Sequence, residues 1–196
     1  MTTETQPQGE TNRPQRADAR RNHERILQGA RSAFAEYGAE AQMDDVARRA
    51  GVGVGTVYRH FPTKEALMGE LARQKFRLFA DRAREALEQG GEPFAALTGV
   101  MRNNAETAAD DVATQQALAG AGEQAWLLAR AELEELTALT DQLIARARRD
   151  GTIRPDVRAT DIGMLMCGVC SSMGMGLPGF DWRRHLDLAI ETLRPR

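Results

Sequence analysis

A cluster of hydrogen-bonding side chains lies between residues 54 and 61. Its four members are Thr56, Tyr58, Arg59 and His60. Val57 and Phe61 are four residues apart, so on a helix they would share one buried face and leave these donors on the other. Hydroxyl, guanidinium and imidazole groups suit the phosphate oxygens and base edges of DNA. The cluster therefore predicts a helix that contacts double-stranded DNA, with Arg59 reading a base through paired hydrogen bonds to guanine.

Small residues at the start of this segment would let its backbone approach DNA closely. Gly53 and Gly55 carry no side chain that could hold the backbone away from a partner. The free N–H groups at the start of a helix also attract phosphate. Val54 can offer only an apolar contact, for instance to a thymine methyl group. We expect Val54 and Gly55 to lie at the DNA surface.

The elements around the cluster have the pattern of a helix-turn-helix. Apolar residues recur at helical spacing over residues 26–37, which predicts a first helix. A second, short helix fits residues 43–50, Gly51 opens a turn, and Pro62 ends the third helix. Two short helices joined by a glycine-containing turn are typical of this motif. Residues 18–65 are therefore predicted to form a DNA-binding domain.

The N-terminal segment is basic although the whole chain has a net charge of −2. Residues 11–31 carry six arginines and two acidic residues. Residues 1–17 are rich in Thr, Gln, Pro and Glu, a composition that predicts a disordered basic arm. Two interpretations of the arm stay open: a solvated tail, or a segment that reaches a phosphate or the minor groove.

The rest of the chain also has helical periodicity. Further helices are predicted from Thr63 to about residue 90 and at 93–107, 109–119, about 126–150, 159–173 and 182–193. No stretch alternates apolar and polar residues between turn signals as a strand would. The sequence predicts an all-α fold of about nine helices, with residues 66–196 as a helical ligand-binding and dimerisation domain.

Composition narrows the class of protein further. Hydrophobic residues make up 42% of the 196 residues, enough for a globular core. No apolar run reaches the roughly 18 residues of a membrane span, and no secretory signal opens the chain, so we expect a cytoplasmic protein with no membrane partner. The three histidines are dispersed, and no nucleophile-base motif or phosphate loop is present. We expect neither an enzyme nor a bound metal or cofactor.

The DNA-binding segment resembles the TetR family of bacterial transcription regulators. The resemblance rests on the pattern Ala47-x-x-Ala50-Gly51-Val52-x-x-Gly55-Thr56-x-Tyr58-x-His60-Phe61-x-x-Lys64-x-x-Leu67, and it extends to Phe34 and Gly38 of the first helix. It implies that Thr56, Tyr58, His60 and Lys64 contact the phosphate backbone or the groove, and that Gly55 lets the helix approach.

The sequence departs from the usual residues of this family at the start of the second and third helices. The family usually has Thr or Ser where Gln42 stands, and glutamine is a poor helix cap. Gln42 and the adjacent Met43 are still predicted to lie at the DNA. Ser and Lys are common in the family where Gly53 and Val54 stand, so the base preference at this position stays open.

Beyond about residue 76 the resemblance is one of helix layout. It implies that the last two helices pair with their copies in a homodimer, which would bind a palindromic operator. The predicted interface residues are Ile162, Leu165, Gly168, Val169, Ser172, Leu186 and Ile190. It also implies a pocket for a small-molecule effector that releases DNA from a repressor. The candidate lining residues are Phe94, Leu97, Met101, Trp126, Met164 and Cys167, although residues at such spacing are also typical of a plain core.

Two cysteines give an alternative interpretation of the sensing domain. Cys167 and Cys170 are three residues apart and would share one helical face, with several methionines nearby. Such sulfurs could bind a soft metal or form a redox switch. Buried packing is the simpler interpretation, because cysteine is among the residues most often buried. The alternative function is a metal- or thiol-responsive regulator.

Overall fold

The computed structural model describes residues 12–195, with side chains from residue 17 onward. Over this range the chain forms ten α-helices and one turn of 3-10 helix, and it has no β-strand. The predicted all-α fold is confirmed. The chain divides into two compact units, the first ending at Thr63 and the second beginning at Lys64. No helix of the described chain is long and apolar enough to cross a membrane.

Three helices make up the first unit. They are α1 (Asn12–Tyr37), α2 (Met43–Ala50) and α3 (Val54–His60). The helix α1 begins earlier than the predicted start at residue 18. Residues 12–17 are therefore helical rather than a disordered arm, and residues 1–11 of that arm lie outside the described residues.

The first unit has a small core in which helix backbones come close together. Ile26 and Phe34 of α1 are at most 1% exposed, and Val57 of α3 is fully buried. The helices α1 and α2 meet at Gly29, where an added Cβ would lie 2.7 Å from the backbone nitrogen of Ala50. This glycine sets the helix separation, because any side chain there would strike the backbone of α2.

Seven helices make up the second unit. They are α4 (Lys64–Gln89), α5 (Pro93–Asp110), α6 (Val112–Ala119), α7 (Glu123–Leu128), α8 (Arg130–Arg149), α9 (Ala159–Met173) and α10 (Trp182–Glu191). The predicted long helix through Trp126 is divided at Ala129 into α7 and α8, which accounts for the tenth helix. The break lets α7 pack closely on α4, since a Cβ added at Gly69 would lie 2.8 Å from Cβ of Leu128.

A buried carboxylate joins α4 to α8. Glu132 of α8 is 8% exposed, and its Oε1 accepts hydrogen bonds from Arg73 Nε at 3.0 Å and Arg77 Nη2 at 2.7 Å. Burial alone raises the pKa of Glu132, but the hydrogen bonds outweigh burial and hold that pKa below its ordinary value. Glu132 is therefore ionised, and its charge is balanced by two arginines of the neighbouring helix.

Candidate DNA interface and ligand cavity

The helix α3 has one buried face and one accessible polar face. Val57 is fully buried, whereas the neighbouring Tyr58 is 47% exposed. Arg59 is exposed, and Thr56 and His60 are partly exposed. The Arg59 guanidinium donates to the Thr56 hydroxyl at 3.4 Å, which links the two side chains across one helical turn. The predicted donors are thus all accessible on one short helix.

The start of α3 leaves its backbone open to solvent. Gly53 occupies the N-cap position with an extended conformation. A Cβ added at Gly53 or at Gly55 would meet no atom within 4 Å, and Val54 between them is 42% exposed. The surface around these residues is therefore open, so that a phosphate could approach the start of α3, where the first N–H groups of a helix have no partner within the helix.

The turn before α3 is fixed to the first helix. Gly51 adopts a left-handed conformation with φ of +62°, which favours glycine. Its carbonyl accepts a hydrogen bond from Arg25 Nη2 at 2.9 Å. Arg25 belongs to the basic stretch of the sequence, and here it orients the turn that precedes the recognition helix.

Of the two DNA contacts predicted at the start of α2, one side chain is exposed and the other is buried. Gln42 is exposed, and its amide donates to the Glu40 carbonyl at 2.7 Å, while its backbone N–H donates to Asp45 Oδ2 at 2.9 Å. Met43 is only 6% exposed, which contradicts its predicted role as a side-chain contact to DNA. The apolar side chain packs into the core because α2 has its buried face at this position. Lys64 is partly exposed and begins α4, in the second unit.

A ring cluster surrounds His60. The His23 ring of α1 lies 5.9 Å from the His60 ring and 5.0 Å from the Phe61 ring, measured between centroids. Burial lowers the pKa of His60, and the charges of His23 and Arg59 lower it further. His60 is therefore neutral near pH 7 and able to donate one hydrogen bond. His23 was not predicted to belong to the site, because its link to His60 is made only by the packing of α1.

A cavity of about 640 Å³ lies inside the second unit. Its walls are mostly apolar side chains of α4, α5, α8 and α9. Predicted lining residues that do line it are Leu97, Met101, Trp126, Met164 and Cys167. Phe94 does not. It is 4% exposed within the core, and the Arg194 guanidinium carbon lies 4.4 Å from its ring centroid.

One cation lies among the apolar walls of this cavity. Lys75 of α4 donates a hydrogen bond from Nζ to the Gln115 side-chain oxygen, and Nζ lies 5.5 Å from the Phe79 ring centroid. Burial lowers the pKa of Lys75, opposed in part by Cys170, Cys167 and Asp111. Lys75 was not predicted to line the cavity, although its spacing of four residues from the buried Leu71 and Phe79 places it on their helix face.

The predicted dimer interface divides into two groups. Ile162, Val169, Leu186 and Ile190 are at most 6% exposed and belong to the core of the second unit. Their side chains pack within the chain, which corrects their assignment to a dimer interface. The accessible faces of α9 and α10 are the opposite ones. Gly168 is exposed, and Leu165 and Ser172 are partly exposed.

The two cysteines line the same cavity on α9. Cys167 is exposed, Cys170 is partly buried, and neither forms a disulfide. Burial raises the pKa of the Cys170 thiol, although the Lys75 charge partly opposes this. Among the described residues there is no group of three or more His, Cys, Asp or Glu side chains that could hold a metal ion. The metal- or thiol-sensing alternative therefore gains no support from the geometry.

Family models match most of the chain. Residues 26–71 match the N-terminal domain of the bacterial regulatory proteins of the TetR family, and residues 92–195 match the C-terminal domain of SbtR-like transcriptional regulators. The first match contains the helix-turn-helix, and the second contains most of the residues that line the cavity.

Individual proteins are similar to the chain over most of its length. The HTH-type transcriptional repressor KstR of Mycolicibacterium smegmatis is 34% identical over 179 residues, which cover 89% of this chain and 87% of KstR. A TetR regulatory protein from Mycobacterium vanbaalenii is 38% identical, with 93% and 100% of the two chains covered and a TM-score of 0.62.

A third relative was solved with a ligand. FadR of Thermus thermophilus, a TetR-family repressor in complex with lauroyl-CoA, is 25% identical, with 86% of this chain and 91% of that chain covered and a TM-score of 0.60. These matches agree with the accessible helix-turn-helix and the cavity-containing second unit. The chain belongs to the TetR family and is a transcriptional regulator with a DNA-binding helix-turn-helix and a C-terminal ligand-binding domain.

Proposed function

We propose that this regulator is a repressor that leaves its operator when a small apolar or amphipathic molecule fills the cavity of the second unit. The observation that carries the proposal is the apolar cavity of about 640 Å³, which falls in the size range of small-molecule sites. One wall of the cavity belongs to α4, which follows α3 after only three residues of chain. The similarity to the repressors KstR and FadR supports this function.

The proposed release is a population shift. A ligand that contacts α4, α5, α8 and α9 would bind more tightly to one arrangement of these helices than to another. If the favoured arrangement moves α4, the short connection from residue 61 to residue 63 passes the movement to the recognition helix. The two recognition helices of a dimer would then no longer match successive major grooves.

The DNA contacts are divided by their chemistry. Thr56, Tyr58, His60 and Lys64 would hold phosphates, and Gly55 would let the backbone approach. Arg59 would read a base edge, because its guanidinium lies exposed on the polar face of α3. Gln42 would reach a phosphate from the start of α2, and Val54 would contact the groove.

The proposed homodimer uses the exposed faces of α9 and α10. Leu188 of α10 is 51% exposed, although it is a large apolar side chain on a helix. Gly168 lies on the exposed part of α9 and would let a partner helix come close. A homodimer paired through these faces would bind a palindromic operator, whose two half-sites lie about 34 Å apart.

The proposal is tested by selecting binding sites for the full-length protein from random duplex DNA. We expect a palindromic site, a footprint of two half-sites, and binding that weakens steeply as salt rises. Molecules that co-purify with the protein are then identified by native mass spectrometry and added back to the complex. A single half-site, or a cavity ligand that leaves operator binding unchanged, would contradict the proposal.

A further inference from the structure

The polar residues that line the cavity differ in charge. Of the described residues that line it, Lys75 is the single charged one. The hydroxyls of Thr137 and Thr140 donate to carbonyls of their own helix, at 2.7 Å and 2.8 Å. The Asn104 side-chain oxygen accepts from Arg82 at 3.2 Å, so its neutral NH₂ group is the donor that Asn104 can offer. A negatively charged ligand group is therefore best served at Lys75, which offers a donor with a positive charge.

The charge of Lys75 lacks a carboxylate close enough to neutralise it. Within the described chain its Nζ forms no ion pair, and its hydrogen-bond acceptor is the neutral amide oxygen of Gln115. Asp111 and the thiols of Cys167 and Cys170 act on Lys75 electrostatically, without an ion pair to Nζ. Lys75 is partly buried. A partly buried ammonium without an ion pair is less favourable than a paired one, and an anion in the cavity would relieve that cost.

The local geometry offers two donors to such an anion. An ammonium group has three N–H donors, of which the Gln115 oxygen takes one. Because the Gln115 oxygen faces Lys75, its side-chain NH₂ group is available beside the ammonium. Two adjacent donors and one positive charge match the two oxygens and single negative charge of a carboxylate. A phosphate would bring more negative charge than this single cation balances.

We propose that the effector is an aliphatic or alicyclic carboxylate whose carboxylate group binds Lys75 and Gln115 and whose apolar body fills the rest of the cavity. This inference rests on the proposed function and adds the chemical class of its ligand. The apolar body would lie against Leu97, Met101 and Trp126. Burial of that body provides most of the affinity, and the carboxylate determines the orientation and the class of ligand.

The test compares ligands that share an apolar body and differ in the head group. Full-length protein is titrated with dodecanoate, dodecanol and dodecanoyl-CoA, and with cholate as an alicyclic carboxylate, using calorimetry and Trp126 fluorescence. The protein variants are Lys75→Met and, as a matched control, Arg149→Met, which removes an exposed positive charge from the end of α8. Thermal unfolding of each variant without ligand verifies folding.

We expect the wild-type protein to bind at least one carboxylate about tenfold to a hundredfold more tightly than the matching alcohol. This ratio is the affinity that hydrogen bonds to a charged group typically contribute. Lys75→Met should remove this preference while the affinity for dodecanol stays within about twofold, and Arg149→Met should change neither. Lys75→Met should also unfold at an unchanged or higher temperature, because a partly buried charge without an ion pair is removed.

Several outcomes would overturn the inference. They are equal affinity for dodecanoate and dodecanol, failure of every carboxylate to bind, or tighter binding of dodecanoyl-CoA that Lys75→Met leaves unchanged. Failure of the proposed function is recognised separately. If a carboxylate binds through Lys75 but leaves the operator complex intact, the ligand class stands and ligand-induced release falls. If only neutral ligands release DNA, ligand-induced release stands and the carboxylate class falls.

Discussion

The two units of this regulator arrange their polar groups in opposite ways. In the first unit the donors of α3 lie on the outside of a seven-residue helix, beside glycines that leave the backbone bare. In the second unit a single lysine lies among apolar walls around a cavity. The first arrangement suits a charged polymer that approaches from solvent, and the second suits a small molecule that is enclosed.

This difference determines what each unit needs from its core. The DNA-binding face works only if α1 and α2 hold α3 rigidly, so close backbone packing at Gly29 and the tie from Arg25 to Gly51 matter most. The cavity works only if the helices around it stay apart. Two of those helices, α4 and α8, are joined by the hydrogen bonds of the buried Glu132. A substitution that disturbs the packing of one unit should therefore leave the fold of the other intact.

The largest effect is expected for Gly29→Val. The added atoms would strike the backbone of Ala50, which has no flexible end that could move aside. Overpacking of this kind destabilises a core by about 3 kcal/mol. Hydrogen-exchange protection of the α1 amides reports on the stability of the first unit. Tryptophan fluorescence reports on the second unit, because both tryptophans lie there.

The control for this substitution is Gln28→Val, which places the same residue one position earlier on the exposed side of α1. It should cost about 0.5 kcal/mol or less, the helix-propensity difference. Gly29→Val should abolish operator binding and leave ligand affinity unchanged. Equal loss of hydrogen-exchange protection in both units would show that the units do not unfold independently.

A smaller effect, confined to the second unit, is expected for Glu132→Gln. The amide keeps the shape of the side chain but removes the charge that accepts from Arg73 and Arg77. The cost should be about 2 kcal/mol, because both arginines still reach water. The matched control is Glu135→Gln on the same helix, whose ion pair with Arg84 is exposed and should contribute under about 0.5 kcal/mol.

The Glu132 contribution should also depend on pH. Because its pKa in the folded protein is below the ordinary value, the stabilisation is present above the ordinary pKa and is lost as pH falls through the lowered one. Urea unfolding of wild type and Glu132→Gln, followed by tryptophan fluorescence, should therefore converge on acidification. A difference between the two proteins that grows as pH falls would contradict this assignment.

The sequence predicted the first unit more completely than the second, for a physical reason. A helix-turn-helix is local: Gly51, Pro62 and the spacing of Val57 and Phe61 lie within one short stretch, and each acts on its immediate neighbours. The all-α fold followed from the same local periodicity. Met43 was misplaced because a residue at the start of a helix can face either DNA or core, and the packing of α2 on α1 decides which.

The second unit depends on contacts between residues distant in sequence, which periodicity does not report. Apolar residues on α9 and α10 predicted two contact faces without showing which one packs inside the chain, so Ile162 and Val169 were assigned to the dimer. Phe94 was assigned to the pocket for the same reason. Lys75 was missed because its partner Gln115 lies on α6, and only the folded chain brings the two together.

Two substitutions on α3 separate base reading from phosphate binding. Arg59→Ala should relax the preference at one base pair of the operator by about 1–2 kcal/mol, because a paired guanidinium contact to a base is lost. Tyr58→Phe should instead weaken binding to all sequences by a similar factor, since a phosphate contact carries no sequence information. Affinities for the operator and for every single-base variant distinguish the two, and the opposite pattern would reverse the assigned roles.

The smallest effect should be the pH dependence of the first unit through His60. Its pKa in the folded protein lies below the ordinary value because of burial and the nearby charges of His23 and Arg59. Neutral His60 therefore stabilises the folded unit above the ordinary pKa, and this contribution is lost as pH falls through the lowered one. His60→Gln cannot be protonated, so hydrogen exchange of the α1 amides should lose less protection between pH 7 and pH 5 in this variant than in wild type. Since the substituted residue is also a proposed phosphate contact, the measurement is made without DNA, where only the ring cluster with His23 and Phe61 can produce the difference.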